Sequence, residues 1–237
     1  MPRKLKVAAL ADLHVKEGEV RPYRELFDEI CGVADVLVLA GDLTDFGRPE
    51  EAHILAEDIR ACSLPVLAVL GNHDHDSNQT YEVRRILREA GVKLLEGQTH
   101  VIGNVGFVGA KGFGGGFGRR MLTAFGEPAI KQFVAEGMNE ATLLENGLRA
   151  LHTDRIFVIL HYAPVTDTIV GEPLEIFPFL GSSRLAEAID RYTVSAVVHG
   201  HAHKGKYEGR TPAGVPVYNV ASHVKKPNGR PYGLIEV

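Results

Sequence analysis

The sequence predicts an α/β protein built on two sheets. Five apolar runs of strand length recur along it: LKVAAL (5–10), DVLVLA (35–40), PVLAVL (65–70), RIFVIL (155–160) and VSAVVH (194–199). Segments of helical character at about 20–32 and 49–62 separate the first three runs and give a β-α-β-α-β rhythm. The C-terminal third differs, a string of short extended pieces (GKYEGRT, VPVYNV, YGLIEV) set apart by Gly and Pro turns.

The five long runs are continuously apolar rather than alternating, as expected of strands covered on both faces in a parallel or mixed sheet. Further helices are expected over 78–90, about 127–150 and 183–192, the last after Ser182, whose hydroxyl can cap its first turn. HVIGNVGFVGA (100–110) resembles the C-terminal pieces, and together they predict a second, more antiparallel sheet. Two stretches, KGFGGGFGRRM (111–121) and YAPVTDTIVGEPLEIFPFLGS (162–182), are long and irregular, and loops of that length are commonly functional or mobile. With 237 residues and neither repeats nor a low-complexity linker, residues 1–237 are expected to form one domain.

Hydrophobic residues make up 45% of the chain and charged residues 24%, with a net charge of -4. That balance gives no general attraction to anionic membrane or extended nucleic acid, so neither is an expected partner. The N-terminal apolar run is short for a secretion signal and is broken at Asp12, and no run approaches the ~20 residues that span a bilayer. Cys31 and Cys62 lie far apart in helical segments and do not form a disulfide framework. A soluble, cytoplasmic protein is the expectation.

Each long apolar run ends in a polar cluster. ADLH brings Asp12 and His14, GDLTD brings Asp42 and Asp45, and GNHDHD brings Asn72, His73 and Asp74. The fourth run ends at His161, and the fifth in HGHAH, with His199, His201 and His203. Singly, each block is ordinary: a Gly-Asp after a strand is often a turn, and a lone strand-end histidine is usually structural. Together they carry more weight, because ligands of open α/β sheets bind outside the carboxyl ends of the strands. Convergent Asp, Asn and His without Cys suit Mn, Fe or Zn, and the donors outnumber the needs of one ion.

In order and spacing, Asp12-x-His14, Gly41-Asp42-x-x-Asp45, Gly71-Asn72-His73-Asp74, His161 and Gly200-His201-x-His203 resemble the calcineurin-like metallophosphoesterase signature. The resemblance implies a four-layer α/β/β/α sandwich of two mixed sheets flanked by helices. It implies one metal ion on Asp12, His14, Asp42 and His203, and a second on Asp42, Asn72, His161 and His201, with Asp42 bridging. It also implies that a metal-bridging hydroxide attacks the phosphorus while His73 protonates the leaving oxygen. Asp45 occupies the position that orients His73, and Asp74 supports the loop. His199 lies outside the pattern.

The remaining candidates are weaker. GFGGGFG lacks the ending of a nucleotide-binding P-loop and reads either as a flexible surface turn or as a substrate loop. In the second case Arg119 or Arg120 contacts phosphate, and Phe113 and Phe117 stack on an aromatic leaving group. His223 is a candidate for the cleft, His75 and Asp76 read as a solvated continuation of their loop, and His53, His100 and His152 read as structural or exposed. The expected activity is hydrolysis of a phosphomonoester or phosphodiester of a small molecule or nucleotide. A catalytically silent scaffold of the same fold, a nuclease and a single structural metal site are the alternatives.

Overall fold

A computed structural model describes residues 4–237. The first sheet contains β1 (Lys6–Leu10), β2 (Val36–Ala40), β3 (Val66–Val69), β4 (Lys93–Leu94) and β11 (Gly233–Glu236), in the order β11-β1-β2-β3-β4. Helices α1 (Arg24–Cys31), α2 (Pro49–Arg60) and α3 (Thr80–Glu89) connect its parallel strands. The second sheet contains β5 (Thr99–Ile102), β6 (Val105–Ala110), β7 (Arg155–Leu160), β8 (Ala196–His199), β9 (Glu208–Arg210) and β10 (Pro216–Asn219), in the order β5-β6-β7-β8-β10-β9. Helices α4 (Pro128–Ala150) and α6 (Ser183–Ile189) serve it, and α5 (Phe177–Leu180) lies in the preceding loop.

Strand periodicity explains the layering, since successive side chains point to opposite faces. Val7, Ala9, Val36, Val38, Leu67 and Val69 of the first sheet pack against Val105, Phe107, Phe157, Ile159, Ala196 and Val198 of the second. Their neighbours Ala8, Leu10, Leu37, Leu39 and Ala68 meet Phe27, Ile30, Leu55 and Ile86 of the helices outside the first sheet. Val108, Ile156, Val158 and Val197 likewise meet Leu144, Leu148, Leu185 and Ile189 of α4 and α6. Continuous apolar runs are therefore required, because both faces of every central strand are buried. The result is two mixed sheets flanked by helices, as expected.

Two features differ from the sequence expectation. The core of the second sheet is parallel: β6, β7, β8 and β10 all run the same way, and only β5 and β9 pair antiparallel. Helices α4 and α6 supply the crossovers that make β6, β7 and β8 parallel, while β9 carries the chain from β8 back to a parallel β10. The last extended piece also leaves that sheet, for β11 pairs antiparallel with β1, from Lys6↔Glu236 to Ala9↔Gly233. Ser182 caps α6 as expected, its hydroxyl accepting from the Arg184 N–H at 3.3 Å. Cys31 and Cys62, distant in sequence, meet with their sulfurs 3.2 Å apart. Among the described residues no helix is long and apolar enough to cross a membrane.

Candidate metal centre

The carboxyl ends of β1, β2 and β3 lie at one edge of the first sheet, beside those of β7 and β8 in the second. Asp12, His14 and Asp42, in the turns after β1 and β2, and His201 after β8 all have positive φ, at 59°, 46°, 49° and 68°. Such conformations cost most non-glycine residues on the order of 1 kcal/mol, and Asp and His are among the types that adopt them most readily in tight turns. Two motif glycines make the approach possible. A side chain at Gly41, whose φ is +88°, would place its Cβ 2.5 Å from His161 Nδ1, and one at Gly71 would overlap the Asp42 carboxylate.

Three groups of candidate donors result. The ligand atoms of Asp12, His14 and His203 lie within 4.8 Å of one another, as do those of Asp42, His161 and His201 and those of His14, Asp45 and His73. Asp42 faces the first two groups, with Oδ1 3.3 Å from His161 Nε2 and Oδ2 3.9 Å from His14 Nε2. Asn72 joins the second group, its Oδ1 3.0 Å from His161 Nε2. In the first, Asp12 Oδ1 is 3.1 Å from His203 Nε2, and both Asp12 oxygens accept the His201 N–H, at 3.0 and 3.1 Å.

Hydrogen bonding shows that these groups fit cations. The buried His161 ring donates Nδ1–H to the Ala40 carbonyl at 3.0 Å, which turns Nε2 toward the oxygens of Asp42 and Asn72. A lone pair facing two oxygens is repulsive unless a proton or metal ion lies between them. Without a metal the proton takes that place: burial alone would lower the His161 pKa, but the Asp42 carboxylate outweighs it and pushes it up to about 9. The same pairing holds Asp42 well below the usual carboxylate range despite its burial. Burial pushes His14 down, and burial together with His161 pushes His201 down to about 4, so both present neutral imidazoles. Both ring nitrogens of His14 are buried without a hydrogen bond, with the Asp45 carboxylate 3.4 Å from Nδ1, so the ring has the capacity to ligate an ion.

His73 lies against this centre, its ring edge-on to His14 at 4.5 Å. Its N–H donates to Asp42 Oδ1 at 2.9 Å, and its ring Nδ1–H donates to the backbone carbonyl of Asp45 at 2.6 Å. The Asp45 carboxylate makes no hydrogen bond to the His73 ring, although it lies within 4.8 Å of it; its nearer neighbour is His14, with Oδ1 3.4 Å from Nδ1. The turn after β2 thus orients His73 through main chain. Asp74 is fully buried and accepts from the N–H groups of Leu43, Thr44 and Gly71 and from the Thr44 hydroxyl, at 2.6 to 3.2 Å. It ties the GDLTD and GNHD turns together. Asp74→Ala leaves those donors unpaired and is expected to cost about 3 kcal/mol or more in a urea unfolding titration of metal-free protein.

Other candidates have different surroundings. Gly112 and Gly114 to Gly116 are buried, and the N–H groups of Gly115 and Gly116 donate to the Pro178 and Gly181 carbonyls at 2.7 and 2.9 Å. The glycine run is thus a packed seam between the two long loops. Phe113 is held by Phe133 and Tyr162, at ring distances of 4.8 and 5.7 Å, which engages it in packing. Phe117 packs beside Leu180 and Ile169, while Arg119 and Arg120 are exposed at the tip of the same loop. His223 does reach the centre, its ring stacked on His203 at 4.7 Å. His199 is buried and structural, donating to the Gly200 carbonyl at 2.8 Å and accepting from the Thr168 hydroxyl at 2.7 Å. Asp76 is exposed as expected, whereas His75 is half-buried: it lines a cavity with Arg84, Glu96, Lys111 and Glu140, and burial pushes its pKa down to about 4.

Sequence reasoning missed the carbonyls that orient the rings, Ala40 for His161, Asp45 for His73 and Phe179 for His201 at 3.2 Å. It also missed Ser222, whose hydroxyl donates to the Asp12 carbonyl at 2.9 Å. A backbone carbonyl carries no residue type, so no sequence signal announces the first three.

Comparison with known proteins identifies the family. Residues 5–205 match the calcineurin-like phosphoesterase family, a span that holds every proposed ligand and His73. A probable glycerophosphodiester phosphodiesterase of Arcobacter nitrofigilis is 22% identical over 216 residues, covering 84% of this chain and 71% of that protein. In fold, the crystal structure of TT1561 of Thermus thermophilus superposes with a TM-score of 0.60 at 15% identity, covering 94% of this chain and 91% of its own. Another crystal structure gives 0.62 at 16% identity, covering 98% of this chain and 95% of its own. With the match running unbroken from before Asp12 to beyond His203, the chain belongs to the calcineurin-like phosphoesterase family and is a metal-dependent phosphoester hydrolase.

Proposed function

We propose that the protein, acting as one domain, hydrolyses phosphodiesters of small molecules with two metal ions. The observation that carries this is the Asp42 carboxylate, which presents one oxygen to each of two donor groups. Asp12, His14, Asp42 and His203 would hold one ion, and Asp42, Asn72, His161 and His201 the other. The O/N donor set suits Mn, Fe or Zn. Bound in such a pair, the ions supply a nucleophile from water at neutral pH and neutralise charge on the phosphoryl oxygens.

The chain's own residues do the rest. His73, with Nδ1–H held by the Asp45 carbonyl, offers Nε2 as the proton donor to the leaving oxygen. Its N–H on Asp42 fixes its distance from the centre. Asp74 keeps the two turns in register, and His223, stacked on His203, flanks the open side where a phosphoryl oxygen can lie. Arg119 and Arg120, exposed on their loop tip, are candidates for contacts farther out on the substrate. The preference for diesters rests on the glycerophosphodiester phosphodiesterase relative, and that for small substrates on the net charge of -4.

Turnover of a nitrophenyl phosphomonoester and of the bis-ester, by metal-stripped protein reloaded with Mn(II), tests the proposal. A higher kcat/KM on the bis-ester is expected. A preference for the monoester would reassign the substrate, and loss of both activities with two ions bound would favour a scaffold.

A further inference from the structure

Cys31 ends α1 and Cys62 lies just beyond the end of α2, so the packing of these helices brings both sulfurs to the same edge of the first sheet. The sulfurs are 3.2 Å apart, in contact but unbonded, and both cysteines are free and partly exposed. This edge is the amino end of β2 and β3, opposite the end that carries Asp42 and Asn72. The pair therefore plays no part in phosphoester chemistry, and packing alone does not require two thiols to face each other.

The two thiols are unequal. Burial would raise the Cys31 thiol, but hydrogen bonds from Cys62 and Ser63 outweigh it and hold it below its ordinary value. Cys62 is pushed up to about 11, chiefly by burial. Cys31 also opens onto a surface cavity of about 480 Å³ lined by Lys6, Asp35, Arg230 and Leu234. The Asp35 carboxylate accepts the Lys6 N–H at 2.9 Å. With two basic side chains, Lys6 and Arg230, against the one carboxylate of Asp35, the lining carries a net positive charge that suits an approaching molecule with carboxylates.

We propose that Cys31 and Cys62 form a reversible disulfide by exchange with an anionic low-molecular-weight disulfide, with Cys31 as the attacking sulfur. The Cys31 thiolate attacks one sulfur of the external disulfide, whose S–S bond breaks as a mixed disulfide forms and one thiolate leaves. Cys62, deprotonated as it reacts, then attacks the Cys31 sulfur, forms the internal bond and expels the second thiolate. Two protein thiols are oxidised, one external disulfide is reduced to two thiols, and the cysteine protons pass to the released thiolates.

Oxidised glutathione is the probe, applied to the native full chain, with intact mass and thiol counting as readouts and melting profiles of each variant as the check of folding. Wild type is expected to lose both thiols and two hydrogens, to retain no adduct, and to recover fully on reduction. Cys62→Ser traps one glutathionyl group on Cys31, and Cys31→Ser loses its remaining thiol at least roughly tenfold more slowly. Free thiols that persist in wild type, a lasting adduct on each cysteine, intermolecular dimers, or equal rates in the two variants would overturn the proposal.

Discussion

Asp42→Asn is expected to lower phosphoesterase turnover by roughly a thousandfold or more and to reduce bound metal from two ions to one or none. The substitution keeps shape but turns one carboxylate oxygen into an amide NH2, which cannot ligate, and removes the negative charge that both donor groups share. Asp42 is 1% exposed and bounded by His14, His161 and the His73 N–H, so the amide of the variant stays where the carboxylate was. The same variant loses the partner that holds the His161 proton in metal-free protein. Its metal content and kinetics are therefore to be measured on the same reloaded sample, with wild type alongside. Full turnover with two ions bound would remove Asp42 from the centre.

The second large effect is on proton transfer. His73→Ala is expected to reduce kcat for an ester with an alkyl leaving group by about 10²- to 10⁴-fold, and by much less for a nitrophenyl ester, whose leaving oxygen departs without a proton. Asp45→Ala separates the two ways of orienting His73. It keeps the backbone carbonyl that accepts from Nδ1 at 2.6 Å, so the dependence on leaving group should stay as in wild type. What it removes is the carboxylate 3.4 Å from His14 Nδ1, and the expected result is metal binding weakened by roughly 10- to 100-fold. If Asp45→Ala instead reproduced the leaving-group pattern of His73→Ala, the carboxylate and not the carbonyl would be the orienting group.

The parts of the fold legible in the sequence were those written in local pattern. Continuous apolar runs marked β1, β2, β3, β7 and β8, since strands covered on both faces have no polar side to show. Helix α4 was legible to within a residue because Pro128 opens it and its periodicity is long. The pairing of β11 with β1 was not, because an extended piece of four residues carries no record of a partner more than two hundred positions away. The seam formed by Gly114 to Gly116 was hidden for a related reason: glycine reads as freedom, while here its missing side chain admits the carbonyl of Pro178.

At the site, residue type made the donors visible. Asp12, Asp42, Asn72 and the histidines are chemically unusual at strand ends; the structure gathers them, with Asp45, into three groups, two of which share His14, and sets Asn72 beside His161. What sets their orientation was invisible, because main-chain carbonyls of Ala40, Asp45 and Phe179 do it. The solvated look of His75 misled for another reason, since GNHDHD is polar throughout while its second histidine turns inward to a charged cavity. The contact of Cys31 with Cys62 was concealed by the helix and strand between them and by nothing chemical.

The most direct measurement is elemental analysis in step with turnover as metal-stripped wild-type protein is titrated with Mn(II). Saturation at two ions per chain, with activity rising through the second equivalent, is the predicted result. Saturation at one ion, or activity complete before the second is bound, would contradict a two-metal centre shared through Asp42.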